Sequence, residues 1–271
     1  MPKLGQKAPT LVLRAFHPKQ RDAVKFSIIT AVYNRQATIK QALESVGRQS
    51  YTDVEHIVVD GVSTDDTLAI VNAHDNPDLR VISEADDGIY DALNKGISAA
   101  TGDIIGIMHS DDFFTHDDVL ANVAKCFEQT GAQAVYGDLE YVSARDPARV
   151  VRHWRSGDYD RRKLKRGWMP PHPALFVRSD VCARHGNYDT SYQIAADYDA
   201  ILRWLWKGNI SVAYVPEVLV KMRVGGESNR SLERIMKKSK EDYRALRSNN
   251  VGGLLALALK NMSKIPQFLK K

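Results

Sequence analysis

Cysteine is scarce in this sequence. There are two in 271 residues, Cys126 and Cys182, far apart and without a Cys or His partner at metal-ligand spacing. That argues against a disulfide framework and against a zinc site, and it fits a reducing compartment. Long apolar runs are missing as well: no stretch nears the roughly 20 residues that a membrane-spanning helix needs. The segment "LVLRAF" near the start is too short for the apolar region of a signal peptide, and Arg14 breaks it. Glycine-rich phosphate loops are absent too. Neither G-x-G-x-x-G nor G-x-x-x-x-G-K-[ST] follows the first apolar run, which excludes the dinucleotide fingerprint and the P-loop. There is no internal repeat and no low-complexity segment.

What remains is an ordinary globular balance, 44% hydrophobic and 26% charged, in a chain long enough to bury a substantial core. The net charge of +5 is unevenly spread. From Arg230 to Lys271 there are 11 Lys/Arg against 3 Asp/Glu, so the body before it is slightly acidic. A basic tail suits an anionic surface, or is simply a solvated helix face.

Residues 1–24 carry Pro2, Pro9 and Pro18 and read as a loose arm. From Lys25 onward apolar runs alternate with helical patterns. "KFSIITAVYN", "EHIVVDGVS", "DLRVISEAD", "DIIGIMHSDD" and "AQAVYGDLEYV" read as strands. "ATIKQALESVGRQ", "TDDTLAIVNAH", "DGIYDALNKGISAA" and "HDDVLANVAKCFEQT" read as helices, the second with Ser63 or Thr64 as N-cap. Strands that are continuously apolar have both faces covered. The pattern predicts an α/β fold, a mostly parallel doubly wound sheet with helices on both faces. Past residue 150 the regularity fades. The basic, aromatic, proline-bearing stretch from Arg152 to Ser179 reads as a loop region over a cleft. "AADYDAILRWLW" reads as a helix, "SVAYVPEVLVKMRV" as one or two strands, and the rest as a C-terminal helical extension.

In such sheets ligands bind beyond the carboxyl ends of the strands, where strand order reverses. The first strand ends in Thr30, Tyr33 and Asn34, the second in Asp60 and Gly61, the third in Glu84, Asp86 and Asp87, and the fourth in His109, Ser110, Asp111 and Asp112. Singly, Asp60-Gly61 could be a turn and Asp87 an N-cap. Together they place acid and amide groups along one edge. With no glycine cradle, Mg²⁺ or Mn²⁺ between carboxylate and phosphate oxygens would take its place, and Asp111 and Asp112 suit that role.

The segments "FSIITAVYNRQATIKQALESVGRQSY", "HIVVDGVSTDDT", "EADDGIYDALNKGISAATGDIIGIMHSDD" and "AADYDAILRW", in this order over residues 25 to 225, resemble the family 2 glycosyltransferases. The likeness is closest to bacterial members that build exopolysaccharide or lipopolysaccharide. It implies a GT-A fold, with a nucleotide-binding half at 25–140 and an acceptor half at 141–225, followed by the extension at 226–271. It also implies metal-dependent, inverting transfer from a nucleotide-sugar donor to a glycan or polyprenyl-linked acceptor. Carried onto this sequence, Thr30 and Tyr33 flank the nucleobase and Asp60 binds its polar edge. Asp91 and Lys95, one helical turn apart, lie near ribose and phosphates. Ser110 and Asp111 belong to the nucleotide site, and Asp111 and Asp112 match the metal-binding D-x-D region. Where many members have Asp at the first position of that motif, this chain has His109. Asp197 matches the catalytic base, with Ala196 in place of the usual preceding acid, while Asp199 points elsewhere. For Asp197 the alternative is an N-cap. His172 in "PPHPALF" matches a His that contacts the diphosphate or the acceptor, or it is a turn residue between prolines.

In the tail, Leu254, Leu255, Leu257 and Leu259, then Phe268 and Leu269, interleave with Lys260, Lys264, Lys270 and Lys271. The expectation is a peripheral attachment to the anionic inner face of the cell membrane, with packing on the body as the competing arrangement. The acidic edge disfavours nucleic acid. A sugar-phosphate nucleotidyltransferase and a catalytically inactive nucleotide-binding protein are the other readings. Donor sugar and acceptor depend on the loops of residues 140 to 195.

Overall fold

The structure, a computed structural model, describes residues 23–224 and 232–262. The expected arm, save its last two residues, and the tail positions Lys264, Phe268, Leu269, Lys270 and Lys271 lie outside the described residues.

The four early apolar runs are strands β1 (Phe26–Val32), β2 (Val54–Asp60), β3 (Leu79–Ser83) and β4 (Ile104–Ile107). Between them come helices α1 (Ile39–Gly47), α2 (Thr67–Asn72) and α3 (Ile89–Ala99). Alternate residues of β1, β2 and β4 enter different cores. Ile29, Ile57 and Ile105 pack with Ala92 and Leu93 of α3 on one face. Phe26, Ile28 and Ile104 pack on the other face with Ala42 and Val46 of α1 and with Val123 and Phe127 of α4 (Val119–Thr130). Both faces of these three strands are therefore covered, whereas β3, at the sheet edge, leaves Arg80, Val81 and Ser83 exposed.

The remaining strands are β5 (Phe113–Phe114), β6 (Ala134–Val142), β7 (Val150–Trp154), β8 (Leu175–Arg178) and β9 (Val212–Arg223). The sheet runs β3-β2-β1-β4-β8-β6-β9-β5, with β7 paired to β6. Pairing is parallel from β3 through β4 and mixed beyond it, since β8 is antiparallel to both β4 and β6 while β9 is parallel to β6. The chain lays β2 and β3 on one side of β1 and returns to place β4 on the other. That reversal sets a topological switch point between β1 and β4, the place where sheets of this class bind their ligands in a crevice.

The segment expected to be a loop over the cleft is largely regular. It contains β7, α5 (Arg161–Leu164), a short 3₁₀ turn at His172–Ala174 and β8, which sits at the middle of the sheet. Leu175, Phe176 and Val177 are all buried. Four residues beside three prolines carry too little periodicity to reveal a strand. Two capping expectations also change. The N-cap of α2 is Asp66, and the N-terminal neighbour of α3 is Gly88 rather than Asp87, at φ 110°, a backbone region that favours glycine. Ser63 and Thr64 instead join the loop after β2 to the loop after β1: Asn34 N donates to Ser63 Oγ at 3.0 Å, and Thr64 N donates to Asn34 Oδ1 at 2.8 Å.

Four more helices follow among the described residues: α6 (Ser179–His185), α7 (Ala196–Ile201), α8 (Leu232–Ser248) and α9 (Leu254–Met262). α7 runs on into a wider π turn at Leu202–Lys207. Ala245 and Leu246 of α8 and Ala256 of α9 join the same core as α3 and α7, so both helices pack on the body. The amphipathic pattern expected for α9 is inverted at one position. Lys260 is buried against Asp242, Nζ to Oδ1 2.8 Å, while Leu254 and Leu255 are 71% and 74% exposed.

Candidate active site

The crevice at the switch point is built from strand ends. Tyr33, just past β1, is 55% exposed. Thr30, still inside β1, is fully buried, and its Oγ1 lies 2.9 Å from His56 Nε2 of the neighbouring strand. Its side chain therefore braces the sheet and does not line the crevice. Asp60 is fully buried too. Its carboxylate accepts from Ser63 N at 3.3 and 3.2 Å and from Ser83 Oγ at 2.8 Å, so it shapes the turn after β2. Gly61 follows because a Cβ there would stand 2.4 Å from Asp86 Oδ2.

On α3, Lys95 is gripped by acids. Its Nζ lies 3.0 Å from Glu84 and 3.4 Å from Asp91, and it donates to Ala85 O at 2.6 Å. Hydrogen bonding to Glu84, then to Asp91, raises its pKa. Asp91 Oδ2 also accepts from Asp87 N at 3.2 Å, tying the β3–α3 loop to the first turn of the helix.

At the end of β4 the two adjacent carboxylates part company. Asp112 turns into the body: it is 1% exposed, its Oδ1 accepts from Arg223 N at 3.2 Å, and its buried Oδ2 has no hydrogen-bond partner. Burial, then the charge of Asp111, pushes its pKa well above the carboxylate range. Asp111 is only partly buried, and its side chain makes no hydrogen bond or ion pair among the described residues, while its carbonyl is held by the Arg223 guanidinium. The same guanidinium bonds Gln41 of α1. Of the two carboxylates expected to form a paired clamp, Asp111 is accessible and Asp112 is buried inside the fold. Ser110, between them and His109, is buried.

Asp197 arrives from the other side, on α7. The N-cap of that helix is Ala195, so Asp197 is not the cap. Its Oδ1 accepts from Tyr198 N at 2.8 Å and from the Tyr90 hydroxyl at 3.4 Å, whereas Oδ2 accepts nothing among the described residues. The His109 ring is near enough to both acids to feel their charges. Burial lowers its pKa, and the negative charges of Asp111 and Asp197 both oppose that shift. His172 lies beside it, ring centroids 5.7 Å apart and planes tilted by 47°, and its Nε2 is 2.7 Å from the Tyr188 hydroxyl. Burial brings the His172 pKa down to about 4, with Asp197 opposing and His109 reinforcing the shift. Both imidazoles are thus favoured neutral.

The structure brings Asp111, His109, His172 and Asp197 together across β4 and α7. It keeps Thr30, Asp60 and Asp112 behind the crevice wall. Sequence reasoning missed Tyr90, Tyr188 and Arg223, each joining segments far apart in the chain. The only sequence signal for Tyr90 is its place beside Asp91 at the start of a ligand-edge helix.

Among the described residues no group of three or more His, Cys, Asp or Glu could hold a metal ion alone. A hard divalent cation shared between a single carboxylate and substrate phosphates asks for no such group, and the available Asp111 just past the end of β4 fits that arrangement.

The profile of glycosyl transferase family 2 matches residues 27–182. The chain belongs to that family. It is 34% identical over 213 residues to the PGL/p-HBAD biosynthesis glycosyltransferase of Mycobacterium bovis (strain BCG / Pasteur 1173P2), covering 76% of this chain and 80% of that protein. It is 30% identical over 179 residues to the chondroitin synthase of Escherichia coli, 65% of this chain but 26% of that longer one. Among solved structures, S. aureus TarS 1-349 in complex with UDP superposes with a TM-score of 0.66 at 20% identity, over 88% of this chain and 68% of that one. The mannosyltransferase PcManGT from Pyrobaculum calidifontis, in complex with GDP-Man and Mn²⁺, gives 0.62 at 19%, over 92% and 76%. The fold of this family 2 glycosyltransferase is GT-A. Its profile match ends at residue 182, before α7, so Asp197 and its surroundings lie beyond it.

Proposed function

We propose that this glycosyltransferase moves a sugar from a nucleotide-sugar to an acceptor hydroxyl with inversion, and that Asp197 is the general base. The observation that carries this is the convergence of Asp111 and Asp197 on His109 at the switch point, with Oδ2 of Asp197 unengaged. The acceptor O–H gives its proton to Asp197, and the acceptor oxygen attacks the anomeric carbon. The bond from that carbon to the diphosphate breaks on the opposite face, and the diphosphate leaves with the electron pair. A divalent cation, Mn²⁺ or Mg²⁺, bound by Asp111 would neutralise charge growing on the leaving diphosphate. TarS with UDP and PcManGT with GDP-Man and Mn²⁺ supply the analogy for donor and ion.

Tyr33 offers its exposed ring to the nucleobase. Asp60 and Thr30 act one layer back, the first by fixing the turn after β2 and the second by bracing β1. Asp91 and Lys95 face ribose and phosphate as a pair. Neutral His172, fixed by Tyr188, walls the diphosphate and acceptor side without adding charge. A glycan or polyprenyl-linked acceptor of cell-surface polysaccharide suits an enzyme lying on the inner membrane face. The exposed Leu254, Leu255 and Met262 of α9, with the basic excess of the C-terminal segment, support that placement. No helix among the described residues is long and apolar enough to cross a membrane.

The deciding experiment is a donor-hydrolysis screen over UDP- and GDP-sugars with Mn²⁺, run on the wild type and on Asp197→Asn. One donor should be turned over, and Asp197→Asn should lose about 10²–10⁴-fold in kcat while its nucleotide-induced rise in Tm persists. Wild-type turnover in the variant would reject Asp197 as base. Binding of nucleotide with no turnover by the wild type would favour an inactive binding protein.

A further inference from the structure

Asp197 sits one residue into α7, and the approach to that helix has no cap of its own. Ala195, the N-cap, has no polar side chain. The job is done from a distance. Glu241 of α8, almost fully buried, accepts three successive backbone N–H groups: Gln193 to Oε1 at 3.1 Å, then Ile194 and Ala195 to Oε2 at 2.8 and 3.0 Å. Bonds to an ionised acceptor are about twice as strong as neutral ones, and three of them on consecutive amides fix a loop in one conformation. The peptide in the middle is also pinned from its other end. Ile194 O accepts from the Tyr90 hydroxyl at 2.7 Å, and that hydroxyl is the one that reaches Asp197 Oδ1 at 3.4 Å. A continuous set of contacts therefore runs from Glu241 through Ile194 and Tyr90 to the carboxylate of Asp197.

The C-terminal segment that carries Glu241 grips α7 at two further points. Asn249 Nδ2 donates to Asp199 Oδ1 at 2.8 Å. Asp242 pairs with Lys260, whose Nζ lies 3.0 Å from the Tyr198 ring centroid. Tyr198 and Asp199 are the two residues after Asp197. We infer that Glu241 is a positioning residue for the transfer reaction: it fixes residues 193–195 and so aims Asp197 at the acceptor hydroxyl. The inference rests on the reading of Asp197 as base. It gives the C-terminal helices a part in the chemistry, because misplacing a reacting group by about 1 Å costs on the order of 10²-fold in rate.

The test uses the full chain and Glu241→Gln, which keeps the size and one acceptor oxygen. The donor is UDP-GlcNAc or GDP-mannose, whichever the hydrolysis screen shows to be turned over. The expected result is a fall in kcat of about tenfold or more, with donor KM and the Kd for nucleoside diphosphate plus Mn²⁺ within about twofold of the wild type. Amide hydrogen exchange at residues 193–195 should speed up while β1 and β2 stay protected. In an Asp197→Asn background the Glu241→Gln change should cost nothing further, since the two act as one unit. Wild-type kcat in Glu241→Gln overturns the inference, whether or not exchange speeds up. So does a loss that multiplies in full with that of Asp197→Asn. Failure of the base reading shows elsewhere, as full turnover in Asp197→Asn alone. If Glu241→Gln is too unstable to assay, slowed or unchanged exchange at 193–195 in Glu241→Asp, whose carboxylate is withdrawn by one methylene, overturns the inference on its own.

Discussion

At the residue scale, two neighbours of one type have opposite fates. Asp111 and Asp112 stand side by side in sequence, yet one is open to the crevice and the other is buried against Arg223. The sequence makes the cluster conspicuous but not its division, since that depends on Arg223, more than a hundred residues away. Thr30 and Asp60 show the same limit. Their position at strand ends is legible from periodicity, but which way each side chain faces is settled by His56, Ser63 and Ser83. The division at Asp111 and Asp112 makes a prediction. Asp111→Asn should abolish the Mn²⁺-dependent part of donor hydrolysis and the Mn²⁺-dependent part of the nucleotide-induced rise in Tm. Asp112→Asn, nearly isosteric, should keep both. Titration of hydrolysis rate against MnCl₂ for the two variants distinguishes them, and an equal loss in both would restore the paired clamp.

At the scale of elements, long apolar runs and helical spacing identify β1 to β4, β6 and α1 to α4, because each is a run of local pattern with a covered face. β5 and β8 escape, being two and four residues long. What makes them strands is pairing, β5 with Val220 and Lys221 of β9, and β8 between β4 and β6. α9 is the instructive case for composition. Counting Lys and Leu describes it as a basic amphipathic helix, but the structure puts its Lys inside and two of its Leu outside. Exposed leucines are costly in water and favourable in a bilayer interface, at roughly 25 cal/mol per Å² buried. Leu254→Ser together with Leu255→Ser should therefore weaken binding to vesicles containing phosphatidylglycerol by about tenfold or more, with no loss in Tm. Vesicle co-sedimentation reads the outcome, and unchanged binding would leave the face without a membrane role.

For the whole molecule, the GT-A architecture follows from alternating strand and helix, whereas the way the far half closes over the crevice does not. Its contacts, from Tyr90 to Ile194 and from Glu241 to residues 193–195, join surfaces with no shared pattern in the chain. Global stability carries a pH signature of the buried imidazoles. Burial, then the charge of His74, holds His56 at a pKa of about 3, and His172 is at about 4. Their unfolded value is near 6.5. Below that the unfolded chain binds more protons than the fold, so stability is full above about pH 6.5 and falls as pH drops toward 3–4, by up to about 1.4 kcal/mol per pH unit for each histidine. Urea unfolding from pH 7 to 4.5 should show this slope, and His56→Gln should make it shallower; an unchanged slope in His56→Gln would mean that His56 titrates alike in the folded and unfolded chain. The long reach of Glu241 also has a consequence in time. Residues 193–195 leave the ribosome 46 to 48 residues before the carboxylate that moors them, a delay of several seconds at ordinary elongation rates. A nascent chain thus holds residues 193–195 unmoored until α8 is made. A product stopped by a premature codon ahead of Glu241 would lack the carboxylate that holds this loop.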